Sequence, residues 1–411
     1  MIIHAQTLLT MDGAPILNGA LRVEGNCITE IGQEGELTPK EHEEIIRFDE
    51  HVLLPGLINA HCHLDYTCLK GAFFPGQSFT EWIKRLNGLK KSLCDNDFIQ
   101  SIEDGFKELV DTGTTTVFNV EAMPNLIPHL SKPPIRTYWF LELIDLRNKL
   151  ATDSLLLGSL AFFEDKKDDW VGGFGLSPHA PYTASPQLYR LAKQCARQFN
   201  MPITTHIAES LEEQTMFLYG EGPLYEFLKD LGRDMSDCAQ GSALSHLIEY
   251  SAIDQNVIAA HVNYLQEYDW PLLEGTPLHI VYCPKCHEFF GHTRFPLEKL
   301  EDIGCNIMIG TDSLASNNSL DLRAEIRHAR LYYPHLTSRE WIQMITTRPA
   351  KALQLQDKLG CLKPGAYADL IALRLPSQTD PYEAVIRSKS PPELVMVNGK
   401  VLDPLLITTS S

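Results

Sequence analysis

The chain opens with short runs in which apolar and polar positions alternate, Met1 to Thr10, Ala20 to Val23 and Cys27 to Ile31, interrupted by turn residues at Met11-Asp12-Gly13. Alternation with a period of two, bounded by turn formers, predicts strands of a small antiparallel sheet. The same texture returns in Asp369 to Arg374 and in Leu394 to Val401, where Asn398-Gly399 is a hairpin turn. These two sequence-distant pieces are expected to pair into one small β-sandwich covering 1–54 and 355–411. Between them, apolar runs alternate with helical patterns, the rhythm of parallel βα units. Eight runs are legible: Val52 to Ala60, Thr114 to Val120, Ile135 to Leu143, Gly172 to Leu176, Ile203 to Ile207, Val257 to Val262, Leu278 to Cys283 and Asn306 to Gly310. Eight strands close a (β/α)8 barrel of the TIM type, expected over 55–354. Among the intervening helices, Asp97 to Asp111 carries Phe98, Ile102, Phe106, Leu109 and Val110 on one face, with Gly113 beyond its end. Another starts at Ser185-Pro186, a cap followed by proline at the first helical position, and is expected to turn Leu188, Leu191, Cys195 and Phe199 inward.

Charge narrows the partners. With 53 acidic against 35 basic residues the formal charge is −18 over 411 residues, a field that repels polyphosphate, so neither nucleic acid nor an anionic membrane is an expected partner. A local basic patch can still receive one small anion. The N-terminus lacks a basic region followed by an apolar stretch, and no window offers the roughly 18 apolar residues of a spanning helix, so a cytoplasmic protein is expected. Ten cysteines are scattered without a framework spacing, which fits reduced thiols. The one close pair, Cys283-Pro284-Lys285-Cys286, lacks the second pair of a zinc ribbon.

The chemistry lies in where histidines and carboxylates fall. In a barrel, functional side chains sit at the C-terminal ends of the strands. His61 and His63 lie just past the first strand, and positions i and i+2 of an extended segment point the same way, so two imidazoles can face one metal. His206 ends the fifth strand with Glu209 three residues on, His261 ends the sixth, Asp312 ends the eighth and His179 follows the fourth. A lone histidine at a strand end is usually a hydrogen-bonded bystander; convergence of the whole set at one barrel mouth points to a metal centre. Imidazole and carboxylate without thiolate suit one divalent ion, zinc first, with iron or manganese as alternatives. Cys62, between the two histidines, is expected to face packing on the other side.

At this point the chain resembles the amidohydrolase superfamily, in its branch of purine and triazine deaminases and chlorohydrolases, from LLPGLINAHCHLD through HIAES, AAHVN and GTDSLASNN to KPGAYADLIAL. The resemblance implies metal ligation by His61, His63, His206 and Asp312, a proton shuttle at Glu209, and His261 and Asp312 as catalytic partners of the attacking water. It also implies that Phe79-Thr80-Glu81-Trp82-Ile83 is a loop closing over a heterocycle, with Trp82 and His179 contacting the substrate. The expected partners are a small nucleoside and, at most, a second copy of the chain in a homodimer.

Two features bear on the substrate. Many relatives have histidine before Cys-Pro on the seventh strand, where this chain has Tyr282. The segment that follows, Lys285 to His292, resembles aminodeoxyfutalosine deaminases of the futalosine route to menaquinone. Relatives that act on S-adenosylhomocysteine have an arginine near Leu141 to grip the amino-acid carboxylate. The resemblance thus implies hydrolytic deamination of a 6-aminopurine nucleoside, with 6-amino-6-deoxyfutalosine first, S-adenosylhomocysteine or 5'-methylthioadenosine next, and guanine or a halogenated triazine after them. Aminodeoxyfutalosine carries a benzoate on its ribose side, so Phe73, Phe74, Phe289, Phe290 and the cation Arg147 are expected around it.

Overall fold

A computed structural model of the chain describes residues 1–146, 170–249, 252–254, 256–376 and 379–402, together with Leu157, Gly158, Leu160, Ala161 and Asp165. The strands in chain order are β1 (Ile2–Leu8), β2 (Ile16–Glu24), β3 (Cys27–Gln33), β4 (Ile45–Pro55), β5 (Leu57–His63), β6 (Thr114–Glu121), β7 (Arg136–Leu143), β8 (Gly172–Pro178), β9 (Ile203–Ile207), β10 (Val257–His261), β11 (His279–Tyr282), β12 (Asn306–Ile309), β13 (Asp312–Ser313), β14 (Leu370–Arg374), β15 (Leu394–Val397) and β16 (Lys400–Val401). They form two sheets.

The terminal pieces make one seven-stranded sheet in the order β16-β15-β14-β4-β1-β2-β3. It is mixed, because β1 runs parallel to β4 and antiparallel to β2. An isolated antiparallel bridge from Cys27 to Tyr367 ties the β3 edge back toward β14, so the sheet curls onto itself around Ile3, Leu21, Ile28, Leu53, Leu370 and Met396. Positive φ at Asn398 and Gly399 makes the hairpin turn between β15 and β16.

The second sheet runs β12-β11-β10-β9-β8-β7-β6-β5-β13 with every pairing parallel. Alternate positions fill its interior, where Ile58, Phe118, Phe140, Ile258, Val281 and Met308 form one cluster. The other face packs on helices, as Val117 and Trp139 do with Ile102, Phe106 and Leu109 of the helix Asp95–Asp111.

Three details differ from the sequence expectation. The first run is two strands, because the chain leaves β4 at Pro55 and enters the barrel at Leu57 through Gly56, whose absent Cβ would strike Thr115. His61 and His63 are therefore inside β5, not past its end. The helix Pro186–Phe199, capped by Ser185, turns Leu188, Leu191 and Cys195 toward the core as expected, but it also buries Tyr189, Ala192 and Ala196, and Phe199 is exposed. Its inward face is set by the Tyr189 hydroxyl, 2.6 Å from Thr205 Oγ1 in β9.

The eighth strand is also divided. After β12 the chain bends at Gly310-Thr311, and Asp312 and Ser313 pair with Cys62 and His63. β12 bonds to β11 and β13 to β5, so the two ends of the sheet meet. A Cβ on Gly310 would lie 2.8 Å from the His61 backbone nitrogen and carbonyl oxygen, atoms that cannot move aside. Gly310→Ala is expected to cost about 1–3 kcal/mol in overpacking and to lower the retained transition metal. Urea unfolding and elemental analysis check both.

Candidate metal centre

The barrel mouth gathers His61, His63, His206, His261, Glu209 and Asp312, all buried. The ring nitrogens of His61, His63 and His206 lie within 4.8 Å of one another, as do the donor atoms of Glu209, His261 and Asp312. The two groups touch. His63 Nε2 is 3.3 Å from His206 Nε2, Asp312 Oδ1 is 3.7 Å from His61 Nε2 and 3.8 Å from His63 Nε2, and His261 Nε2 is 3.6 Å from Glu209 Oε1. Donors 2.0–2.1 Å from a tetrahedral ion are about 3.4 Å apart, close to these separations.

The nitrogens also need a partner. Both ring nitrogens of His61, Nδ1 of His63 and Nε2 of His261 are buried without a hydrogen bond among the described residues. Unpaired buried polar atoms are costly, and ligation by a cation would relieve that cost at the inward-facing nitrogens. Burial pushes the pKa values of His61, His63 and His261 well below the ordinary imidazole value and that of His206 to about 4, so all four offer neutral rings. Neutral imidazole is the ligating form.

Several side chains are aimed by backbone that L-residues rarely adopt. Ala208, His261, Val262 and Asp312 have φ of 51°, 74°, 54° and 57°, an expensive conformation outside glycine and most of all for valine. Hydrogen bonds hold it: Val262 N donates to Ile207 O at 2.9 Å, Asn263 N to Ala208 O at 2.9 Å, and Asn263 Nδ2 to Glu209 O at 2.9 Å. Glu213 accepts from the backbone N–H groups of Ala208 and Glu209 at 3.1 and 2.7 Å. The His206 ring has its Nδ1 2.9 Å from the His179 carbonyl, leaving Nε2 toward the cluster. Asp312 accepts from the Cys286 thiol at 2.8 Å, the Ser316 hydroxyl at 3.2 Å and the Ser313 N–H at 2.8 Å.

Above the cluster opens a cavity of about 790 Å3, floored by His63, His206, Glu209 and Asp312. Trp82 and His179 line it. The expected loop around Trp82 is the start of a helix, Phe79–Lys90, capped by Ser78. Glu212 latches this helix to the segment bearing Glu209, accepting from Phe79 N at 3.0 Å, from Thr80 N at 2.9 Å and from the Thr80 hydroxyl. Of the phenylalanines expected around the substrate, Phe73 and Phe290 pack behind Trp82, Phe289 packs on Phe290, and Phe74 is exposed. The cavity wall uses Tyr66, Phe79, Tyr182 and Phe227 instead. Tyr282 is buried and stacked on Phe295 at 4.3 Å, and Cys62 packs in the core. Arg147 lies outside the described residues.

The sequence pattern of the amidohydrolase family matches residues 52–402. The chain belongs to the amidohydrolase family. This amidohydrolase is 29% identical over 389 residues to the 5-methylthioadenosine/S-adenosylhomocysteine deaminase of Pyrococcus furiosus, covering 91% of this chain and 86% of that protein. Its fold superimposes on the aminofutalosine deaminase of Helicobacter pylori, solved with methylthio-coformycin, with a TM-score of 0.85, 22% identity and coverage of 98% and 100%. A zinc-bound adenosine deaminase from Xanthomonas campestris gives a TM-score of 0.83 at 20% identity, covering 99% and 95%. Among the described residues, no helix of this amidohydrolase is long and apolar enough to cross a membrane.

Sequence reasoning missed the residues that hold this amidohydrolase's cluster in place: Glu212, Glu213, Asn263 and Glu325. Only Glu213 had a readable signal, since Ser210 stands three residues before it and caps its helix. Glu325 accepts from Asn317 Nδ2 and Lys285 N, and Asn317 also donates to Thr311 O, bracing the turn before Asp312. Burial raises the Glu325 pKa to about 8 from the ordinary 4.5. The folded state thus holds a proton that the unfolded state has released, so the stabilisation is complete below about pH 4.5 and is lost as pH rises through about 8. Glu325→Gln cannot titrate. Urea midpoints at pH 5 and pH 8 should fall less in the variant than in the wild type, by on the order of a few kcal/mol in unfolding free energy.

Proposed function

We propose that this amidohydrolase holds one divalent ion on His61, His63, His206 and Asp312, zinc before iron or manganese, and deaminates a 6-aminopurine nucleoside. We propose 6-amino-6-deoxyfutalosine, on the futalosine route to menaquinone, as that nucleoside. The observation that carries the deaminase reading is Glu209, a carboxyl on the cavity floor whose pKa is driven well above the ordinary value by burial and then by Asp312. A carboxyl raised in this way keeps its proton more readily than an exposed one and can give it to a ring nitrogen as the neighbouring carbon becomes tetrahedral. A bound divalent ion would lower the pKa of a water from 15.7 toward about 7 and so supply the nucleophile. Asp312 and His261, whose donor atoms lie within 4.8 Å of each other and of Glu209, would orient that water and take its proton. Trp82 and Phe79, stacked with ring centres 6.1 Å apart, cover the purine and exclude bulk water. Ammonia leaves.

The substrate's arm is argued from the outer wall. Phe227 carries Lys84 over its ring at 5.4 Å, and Leu224, Leu231 and Lys91 stand near it on the same cavity. An aromatic ring ending in a carboxylate suits a wall that is apolar with cations at its rim. Leu141, where an arginine would serve an amino-acid carboxylate, is buried in the core instead. The second reading, S-adenosylhomocysteine or 5'-methylthioadenosine, is favoured by the name of the Pyrococcus relative.

Two measurements test this. Glu209→Gln is expected to keep its metal but lose about 10²-fold or more in kcat; retained activity would move the proton shuttle elsewhere. Side-by-side kinetics should give aminodeoxyfutalosine a kcat/KM at least about tenfold above that of S-adenosylhomocysteine, equivalent to ~1.4 kcal/mol. Equal or reversed values would favour the second reading.

A further inference from the structure

The segment Lys285 to His292 lies outside the cavity lining and forms the short helix Pro284–Phe290, with Cys283 before it and left-handed Gly291 (φ 68°) after it. Two consecutive side chains of this helix reach two different carboxylate-bearing segments. Cys286, buried, has its sulfur 2.8 Å from Asp312 Oδ2. Sulfur and a carboxylate oxygen this close need a hydrogen between them, and the thiol is the donor. His287, also buried, has Nδ1 3.1 Å from Asn263 Oδ1, and Asn263 Nδ2 donates to the Glu209 carbonyl at 2.9 Å. A carbonyl can only accept, so the Asn263 amide is fixed with its oxygen toward the ring, and the ring is the donor.

Neither contact occupies the face that its target turns to the centre. Asp312 has Oδ1 toward His61 and His63, at 3.7 and 3.8 Å, while Oδ2 takes the thiol and the Ser316 hydroxyl. The sulfur belongs to neither donor group of the centre, so it supports Asp312 without competing for the ion. Asn263 holds the main chain of Glu209 and leaves its carboxyl to the cavity. The helix is itself tied down: Lys285 N donates to Glu325 Oε2 at 2.9 Å, and the Phe289 carbonyl accepts from Gly76 N at 2.9 Å. His287 Nε2 lies 2.6 Å from the Thr293 carbonyl, so both neighbours of the ring are acceptors and only a doubly protonated ring serves both. Burial opposes that state, pushing the His287 pKa to about 4 against the pull of Thr293. A glutamine amide, which always carries donors, is free of that conflict and is the conservative replacement.

We infer that Cys286 and His287 are paired positioning residues, through which one helix sets the metal-side carboxylate Asp312 and the acid Glu209 relative to each other. The inference rests on the proposed metal and deaminase readings and adds two residues that touch neither ion nor substrate. Consecutive helical residues point about 100° apart, so the helix acts as a spacer between two supports. Loss of one side chain releases one support alone. An Asp312 freed at Oδ2 can rotate and hold an ion less firmly, the usual effect of removing the outer partner of a ligand. A Glu209 freed at its main chain departs from the geometry that proton transfer needs, which lowers turnover and leaves the ion in place.

The test uses the zinc-loaded full chain and its variants Cys286→Ala, Cys286→Ser, His287→Leu and His287→Gln. It follows zinc loss to a chelator, hydrogen exchange of residues 203–213 and 257–264, and ammonia release from the better of aminodeoxyfutalosine and S-adenosylhomocysteine. Cys286→Ala should lose zinc at least about tenfold faster than the wild type, with exchange of the two segments unchanged. Cys286→Ser should stay within about threefold, since a hydroxyl is still a donor. His287→Leu should retain zinc within about twofold and lose at least about tenfold in kcat with little change in KM, while both segments exchange at least about tenfold faster. His287→Gln should recover most of the kcat. A merely structural role would lower melting temperature, zinc retention and kcat together in both Cys286→Ala and His287→Leu, and that result would overturn the pairing. So would unaltered zinc loss in Cys286→Ala or unaltered exchange in His287→Leu. A wild type that holds zinc but releases no ammonia would overturn the deaminase reading, and zinc loss and exchange would still decide both supports. A wild type that retains no zinc would overturn the metal reading and the Cys286 support with it.

Discussion

The contact between Gly310 and His61 is the constraint on which the centre depends. A parallel barrel closes only if its last strand can lie against its first, and here the last strand arrives at the point where the first carries its imidazoles. With no side chain at Gly310, the chain passes within van der Waals reach of the His61 backbone, bends, and pairs Asp312 with Cys62 and Ser313 with His63. The pairing that closes the barrel is also the pairing that brings a carboxylate to two imidazoles. Fold and site therefore share one geometrical condition.

Burial then sets the chemistry. The same exclusion of water that pushes the histidine pKa values down pushes that of the Glu209 carboxyl up. Ligands and acid thus come from one physical cause acting on bases and acids in opposite directions. The cost appears as unpaired imidazole nitrogens and as left-handed backbone at Ala208, His261, Val262 and Asp312, strain that the Asn263 and Glu213 hydrogen bonds hold in place. The Glu212 latch carries the same organisation outward, fixing the N-terminus of the helix with Trp82 to the turn that bears Glu209.

Much of this was legible along the chain. The eight-run βα rhythm, the hairpin at Asn398-Gly399, and a histidine or carboxylate at successive strand exits are local patterns, because strand periodicity and turn chemistry act over a few residues. His61, His63, His206, His261, Glu209 and Asp312 could be collected from the sequence for that reason, and the structure brings all six to one place. The helix Pro186–Phe199 was visible by its cap and by most of its inward face, since Leu188 is buried and Leu191 and Cys195 pack against the core, whereas the exposure of Phe199 and the burial of Tyr189 against Thr205 are decided across space.

What the sequence determined by itself was therefore the set of elements and the residues at their ends, both written in neighbours along the chain. Only the tertiary structure decided which side chains beyond those ends share a cavity. Glu142 and Lys90, which both line that cavity, are 52 positions apart in sequence, and the phenylalanines at 73 and 290 that looked suited to a ligand instead support Trp82 from behind. No local pattern reports such meetings, because they follow from barrel closure and from how far each loop returns over the mouth, quantities set by packing of the whole chain.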